Sequence, residues 1–328
     1  MSENHQHDHD HNHDHDHDHI HDHGHSHAHG HSHVHAPKDF GKAFAVGIFL
    51  NTGFVIVEAV YGILSNSLAL LTDAGHNLGD VMGLLLAWGA SVLSARQPSA
   101  RFTYGLRSTS ILAALVNAAV LLIVTGGIGW EALTRFSRPS PVQGSTVIAV
   151  AAVGVAINTA TALMFMSGRK GDLNVRAAFL HMAADAAISL GVVLSGIAIV
   201  YTGWQWLDPA VSLMIALLVI VSTWGLLHDS ASLALHAVPA GIDTEAVQAY
   251  LASISGVAEV HDLHIWGMST TETALTAHLV FPGGYPGDAM HSDIARELKR
   301  RFRIAHPTIQ IETGDLAHPC ALAPPHVV

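Results

Sequence analysis

A single cysteine, Cys320, in 328 residues excludes an intrachain disulfide framework and suits a reducing compartment. It has no partner in a C-x-x-C string, so the sequence gives no support for a thiolate site. Charge is also scarce: Asp, Glu, Lys and Arg make up 12% of the residues, against about 25% in a soluble domain. Half of the residues are hydrophobic, which favours a membrane protein. Lys and Arg number only 15, and no basic stripe with interleaved aromatics occurs, so nucleic acid is not an expected partner. An H-E-x-x-H string is absent, which removes the paired histidines and general base of an intramembrane metalloprotease; no enzyme activity and no organic cofactor are expected. No apolar run precedes residue 43, which reads as the absence of a secretory signal peptide.

What the chain does contain falls into distinct regions. From His5 to His35 every odd position is histidine, 16 of the 27 in the chain, with Asp in many early gaps. Much of the formal charge of −11 comes from this segment. Residues 1–36 have little to bury and are expected to be a disordered, metal-binding head. A transmembrane domain is expected over 37–228, with apolar runs near 43–64, 68–94, 108–133, 143–167, 175–202 and 208–228. Each approaches or exceeds the roughly 20 residues that span a bilayer. Eight basic residues (Lys38, Lys42, Arg96, Arg101, Arg107, Arg169, Lys170, Arg176) flank one side, against Arg135 and Arg138 on the other. The excess predicts both termini in the cytoplasm. A linker over 229–239 leads to a soluble α+β domain over 240–315: a helix at 243–254, strands at 257–267 and 273–281, a helix at 287–304 and a strand at 307–312. Residues 316–328 read as a flexible tail.

The second span, "LLTDAGHNLGD", carries Asp73, His76, Asn77 and Asp80 at i, i+3, i+4 and i+7, on one helix face. At the bilayer centre a charged group costs about 2.5 to 3.5 kcal/mol, so something bound there must offset it. The fifth span repeats the core of the pattern in "HMAAD", with His181 and Asp185 four apart. If the two faces meet, two imidazoles and two carboxylates can surround one small cation, a set natural for Zn²⁺ with Co²⁺ a close competitor. Four protein ligands without a reserved water hold an ion rather than hydrolyse a substrate. Asp73 and Asn77 share the face and are expected to support the ligands or form an approach step. Glu58, Asn51, Asn117 and Asn158, also at membrane depth, read as helix-packing hydrogen bonds.

Together with "RFTYG" before span three and "VHDLHIW" in the soluble domain, these strings resemble the cation diffusion facilitator family over residues 40–315. The bacterial zinc/cobalt exporter branch is the most similar. The resemblance implies an α-helical membrane protein of six transmembrane helices plus a C-terminal cytoplasmic ferredoxin-like α+β domain. It implies a homodimer in the inner (cytoplasmic) membrane, in contact with lipid, that moves Zn²⁺ out of the cytoplasm in exchange for protons. It maps the transport ligands onto His76, Asp80, His181 and Asp185. Co²⁺, Cd²⁺, Ni²⁺ or Fe²⁺ as the main cargo, or a non-transporting metal sensor, are the alternatives. Two positions depart from the family pattern: many members have Glu at the start of span three, near Ser110, and Glu in place of His236. His261 and His278 match positions where some members bind a regulatory metal, and Glu312 or Asp315 is expected to complete such a site. His264, three residues from His261, faces the other way in a regular strand and joins that site only if the chain bends.

Overall fold

The computed structural model describes residues 42–166, 173–315 and 317–324. The histidine-rich head, with Lys38, Arg169 and Lys170, lies outside them. Six long helices come first: α1 (Lys42–Leu64), α2 (Leu68–Ser94), α3 (Thr109–Ser137), α4 (Gly144–Met166), α5 (Leu173–Thr202) and α6 (Leu207–Ala234). Over their described residues five are long and apolar enough to cross a membrane, and the apolar part of α1 runs Phe49–Leu64. Most of their large side chains are exposed, as on a lipid-facing surface, and Trp204 and Trp206 stack between α5 and α6. Paired indoles at a helix end suit the membrane–water interface.

The inner seam of the bundle is narrow because small residues line it. α4 packs on α5 and α1, and a Cβ at Gly154 would lie 2.6 Å from the Phe54 ring. The fixed point for α2 is its N-terminus. Ser67 caps it, its hydroxyl accepting from Leu70 N–H at 3.2 Å. Asp208 of α6 then accepts from the Ser67 hydroxyl at 2.5 Å and from the amides of Leu68 and Ala69 at 2.7 and 3.3 Å. A carboxylate on the free amides of a helix start satisfies donors that the helix cannot and complements its dipole. Asn66, which turns the chain at a φ of 57°, is held through its carbonyl and side-chain oxygens by Arg135 of α3.

The soluble part runs α7 (Thr244–Ala252), β1 (Glu259–Gly267), β2 (Thr273–Val280), α8 (Asp288–Phe302) and β3 (Ile304–Glu312). The sheet order is β1-β2-β3, with β1 antiparallel and β3 parallel to β2; α8 supplies the crossover that a parallel pair needs. Leu275, Ala277 and Leu279 of β2 pack with Val247 and Leu251 of α7 and Ile294 and Leu298 of α8. His278, between two of those residues, therefore points to the other face of the sheet.

Two boundaries differ from expectation. α6 continues to Ala234, into the segment read as a linker, because Asp229, Ser230 and Ser232 end the apolar run without ending the helix. β3 begins at Ile304 rather than Pro307: Arg303, at a φ of 58°, ends α8 and turns the chain straight into the strand. Pro307 is tolerated because β3 is an edge strand.

The α2–α3 connection is strapped to the soluble domain. Arg107 Nη1 meets Glu272 Oε2 at 2.5 Å, the Ser108 hydroxyl donates to Met268 O at 3.2 Å, and the Ser110 hydroxyl accepts from Thr270 N–H at 3.1 Å. Tyr104 sits edge-on to His306, with ring centroids 5.6 Å apart. Ser110, where the family resemblance suggests Glu, thus has a role of its own in joining α3 to the turn between β1 and β2.

Candidate metal centre

Helical spacing puts His76 and Asp80 on one face of α2, and His181 and Asp185 on one face of α5; packing of the helices turns the faces toward each other. His76 Nε2 lies 3.5 Å from Asp185 Oδ1. His181 Nε2 lies 3.3 Å from Asp80 Oδ2 and 3.6 Å from Asp185 Oδ2, and His76 Nδ1 lies 3.9 Å from Asp80 Oδ2. The imidazole rings stand edge to face, with centroids 6.1 Å apart. Asp80, His181 and Asp185 each offer a ligand atom within 4.8 Å of the others; His76 is outside that group of three and adjoins it through its approaches to Asp185 and Asp80. His76 Nδ1, Asp80 Oδ2 and both Asp185 oxygens are buried without a hydrogen-bond partner. Unpaired buried carboxylate oxygens are costly. A divalent cation at their centre would satisfy them and balance the two negative charges.

Access to the four groups is graded. Asp73 is fully buried, the His76 side chain is 14% exposed and that of Asp80 34%; on α5, Asp185 is 2% and His181 42% exposed. Exposure of the ligands thus rises toward the end of α2 that leads into the strapped loop. Asp73 and Asn77 do not join the four ligands in close contact: Asn77 donates to Glu58 Oε2 at 3.3 Å, and Asp73 accepts from the Ser189 hydroxyl at 3.0 Å.

A second cluster lies on the sheet face away from the helices. His261 and His278 are cross-strand partners, with ring centroids 5.2 Å apart. Glu312 of β3 reaches both, at 3.3 Å from His261 Nε2 and 3.0 Å from His278 Nδ1. The fourth member is Cys320, whose Sγ is 3.5 Å from His278 Nδ1, and one ligand atom from each of the four fits within 4.8 Å. Asp315 instead pairs with His318 at 3.0 Å, outside this group. Burial works to raise the Glu312 pKa, but the Cys320 thiol, Gln310 and the two imidazoles outweigh it and hold the carboxyl below its usual range. The Leu322 amide favours the Cys320 thiolate, yet burial and the Glu312 carboxylate push the thiol up.

The bend that His264 would need is present in β1 as a bulge between His261 and His264, with Asp262 at a φ of 50°. It does not bring His264 into the cluster. Asp262 takes His264 on one oxygen at 2.8 Å and His278 Nε2 on the other at 3.3 Å, which leaves His278 Nδ1 facing Glu312 and Cys320. A carboxylate on the far nitrogen of an imidazole fixes its tautomer and makes it a better ligand.

A model of the cation efflux transmembrane domain matches residues 44–233, and one of the cation efflux protein cytoplasmic domain matches 239–314. The chain belongs to the cation efflux family. Among its cation efflux relatives is the "Cadmium, cobalt and zinc/H(+)-K(+) antiporter" of Bacillus subtilis, 34% identical over 86% of this chain and 92% of that protein. The zinc transporter ZitB of Escherichia coli is 38% identical over 82% of this chain and 86% of its own length. For the metal cation efflux system protein CzcD of Cupriavidus metallidurans the figures are 35%, 86% and 88%. The cation efflux fold accounts for the multi-pass helical bundle and the small α+β domain after it. Cys320 lies beyond both matched segments, in the part read from sequence as tail.

Proposed function

We propose that the protein exports divalent transition-metal cations, zinc foremost, by alternating access in exchange for protons. The observation that carries this reading is the convergence of His76, Asp80, His181 and Asp185, from two spanning helices, on one point where four of their polar atoms have no other partner. Two imidazoles and two carboxylates suit tetrahedral Zn²⁺. The same donors accept Co²⁺ and Cd²⁺, cations that the names of the relatives also include. Neutral imidazole and ionised carboxylate are the metal-binding forms, so protons compete with the cation for the same atoms. Imidazole is suited to that exchange because its unperturbed pKa is about 6.5.

The graded exposure supports a state open toward the soluble domain, and the basic-residue asymmetry supports placing that side, with both termini, in the cytoplasm. The protein then sits in the inner membrane as a homodimer through its cytoplasmic domains, and the histidine-rich head binds divalent cations. Purified protein in vesicles loaded with a zinc-sensitive dye tests the reading: an imposed pH difference drives zinc uptake, and cobalt and cadmium compete. Absence of pH-driven zinc movement by the wild-type protein would refute it.

The soluble-domain cluster of His261, His278, Glu312 and Cys320 is proposed as a second, regulatory metal site for cytosolic zinc. Cys320→Ser is expected to weaken zinc binding there by about a hundredfold or more, read as the loss of one tight site in chelator competition on the full chain. The sign of its pH dependence follows from the raised thiol pKa. The thiol keeps its proton at neutral pH and zinc must displace it, so affinity falls as pH falls. In Cys320→Ser this dependence is shallower. An unchanged count of tight zinc sites with an unchanged pH slope would remove Cys320 from the site.

A further inference from the structure

The metal ligands do not account for all the ionisable groups inside the bundle. Glu58 of α1 and Asp73 of α2 are fully buried, and their carboxyl groups lie in hydrogen-bonding contact with one another. Asn77 donates to Glu58 Oε2 and Ser189 to Asp73 Oδ2. The remaining oxygens, Glu58 Oε1 and Asp73 Oδ1, are buried and have no hydrogen-bond donor among the described residues.

No permanent cation faces this pair among the described residues. α4 packs on α1 and has no ionisable residue. α5 contributes Asp185, a further negative group, and α2 contributes His76. The other ionisable residues of α1 are Lys42 at its start and the exposed Tyr61. α3 and α6, packed on the rest of α2, carry theirs near the helix ends: Glu131 and Arg135, and Asp208, His228 and Asp229. Two ionised carboxylates in contact, out of water and without a counter-cation, repel each other, and each loses its hydration. Such a pair is stable only with a proton between its members, bound where the two oxygens without donors are.

We infer that Glu58 and Asp73 form a proton-binding site of the transport cycle, separate from the metal ligands and one helical turn from His76 along α2. The inference rests on the antiport reading above and adds a place for the proton. With a divalent cation on the four ligands, their two negative charges are balanced and the pair holds one proton. When the cation leaves, Asp80 and Asp185 lose that balance and the pair takes a second proton, becoming neutral. The next cation expels that proton through charge alone, sharing no ligand atom with it.

Zinc transport by Glu58→Gln in vesicles tests this, because exchange of zinc for zinc needs no net proton movement and pH-driven uptake does. The expected result is loss of pH-driven uptake with zinc-for-zinc exchange retained. Wild-type pH-driven uptake with an unchanged pH profile in Glu58→Gln would overturn the inference. A wild-type protein that moves no zinc would refute the antiport reading instead. Infrared spectroscopy gives a test that needs no variant to fold: the wild-type protein should show the carbonyl stretch of a protonated, buried carboxylic acid at neutral pH, and its absence overturns the inference. Where the variants fold, that band is expected to be lost or shifted in Glu58→Gln and Asp73→Asn.

Discussion

Asp185→Asn is expected to abolish pH-driven zinc uptake in vesicles while leaving the protein folded. Asp185 approaches both histidines, at 3.5 Å from His76 and 3.6 Å from His181, and it is the more buried of the two carboxylate ligands. Asn keeps the shape but removes one of the two negative charges that balance the cation, and turns an N–H₂ group toward the imidazoles. Loss of a ligand should exceed the 10- to 100-fold that loss of a supporting partner typically costs. Stability should move the other way or not at all. A buried carboxylate whose oxygens lack partners is a desolvation cost to the metal-free fold, and its neutral isostere relieves that cost. Thermal unfolding without metal therefore stays equal to wild type or rises, while the stabilisation gained on adding zinc shrinks. Proton-coupled zinc flux that survives in Asp185→Asn would sink the site assignment.

The second large effect falls on folding. Asp208→Ala removes the acceptor for the Ser67 hydroxyl and for the Leu68 and Ala69 amides, stranding buried donors where two helices meet. Stranded donors of this kind cost about 1 to 3 kcal/mol each, and overlap among them suggests a total of about 3 to 5 kcal/mol. Asp208→Asn should cost less, since its side-chain oxygen can still accept one or two of the bonds. The measurement is thermal unfolding of the detergent-solubilised protein. A melting temperature within a degree or so of wild type in Asp208→Ala would show that α2 is held elsewhere.

Much of this arrangement was legible in the sequence because helices write their faces as spacing. The i, i+4 separation of His76 from Asp80 and of His181 from Asp185 places each pair on one side of a helix whatever the tertiary structure, and its occurrence on two spans pointed to a shared centre. Strand alternation likewise placed the elements of the soluble domain nearly where they are. Spacing fails where the chain reverses. Cys320 reaches the histidine cluster from beyond β3, with no period linking it to His261 or His278, so the sequence supports no thiolate site there and offers Glu312 or Asp315, nearer in sequence, instead. Asp262 was hidden for a related reason: its contact with His278 depends on a bulge, which interrupts the alternation that sequence reading relies on. The Glu58–Asp73 contact joins two helices with no spacing to link them: Glu58 reads as a packing residue and Asp73 as a support for the metal ligands. His264 shows the opposite case: the bend needed to turn it existed, and its ring still went to Asp262.

The clamp at Ser67 has a mechanical meaning for α2. A helix held at one end by Asp208 and leading at the other into a loop strapped to a separate domain is a lever, and its fulcrum is the held end. At 1.5 Å per residue, Asp73 lies about 9 Å from Ser67 and Asp80 about 20 Å. A tilt of about 10° about that fulcrum would carry Asp80 roughly 3 Å and Asp73 only about half as far. Small rotations of α2 would thus displace the ligand shell about twice as far as the neighbourhood of Glu58, and the long arm of the lever ends at the turn joining the two histidine-bearing strands.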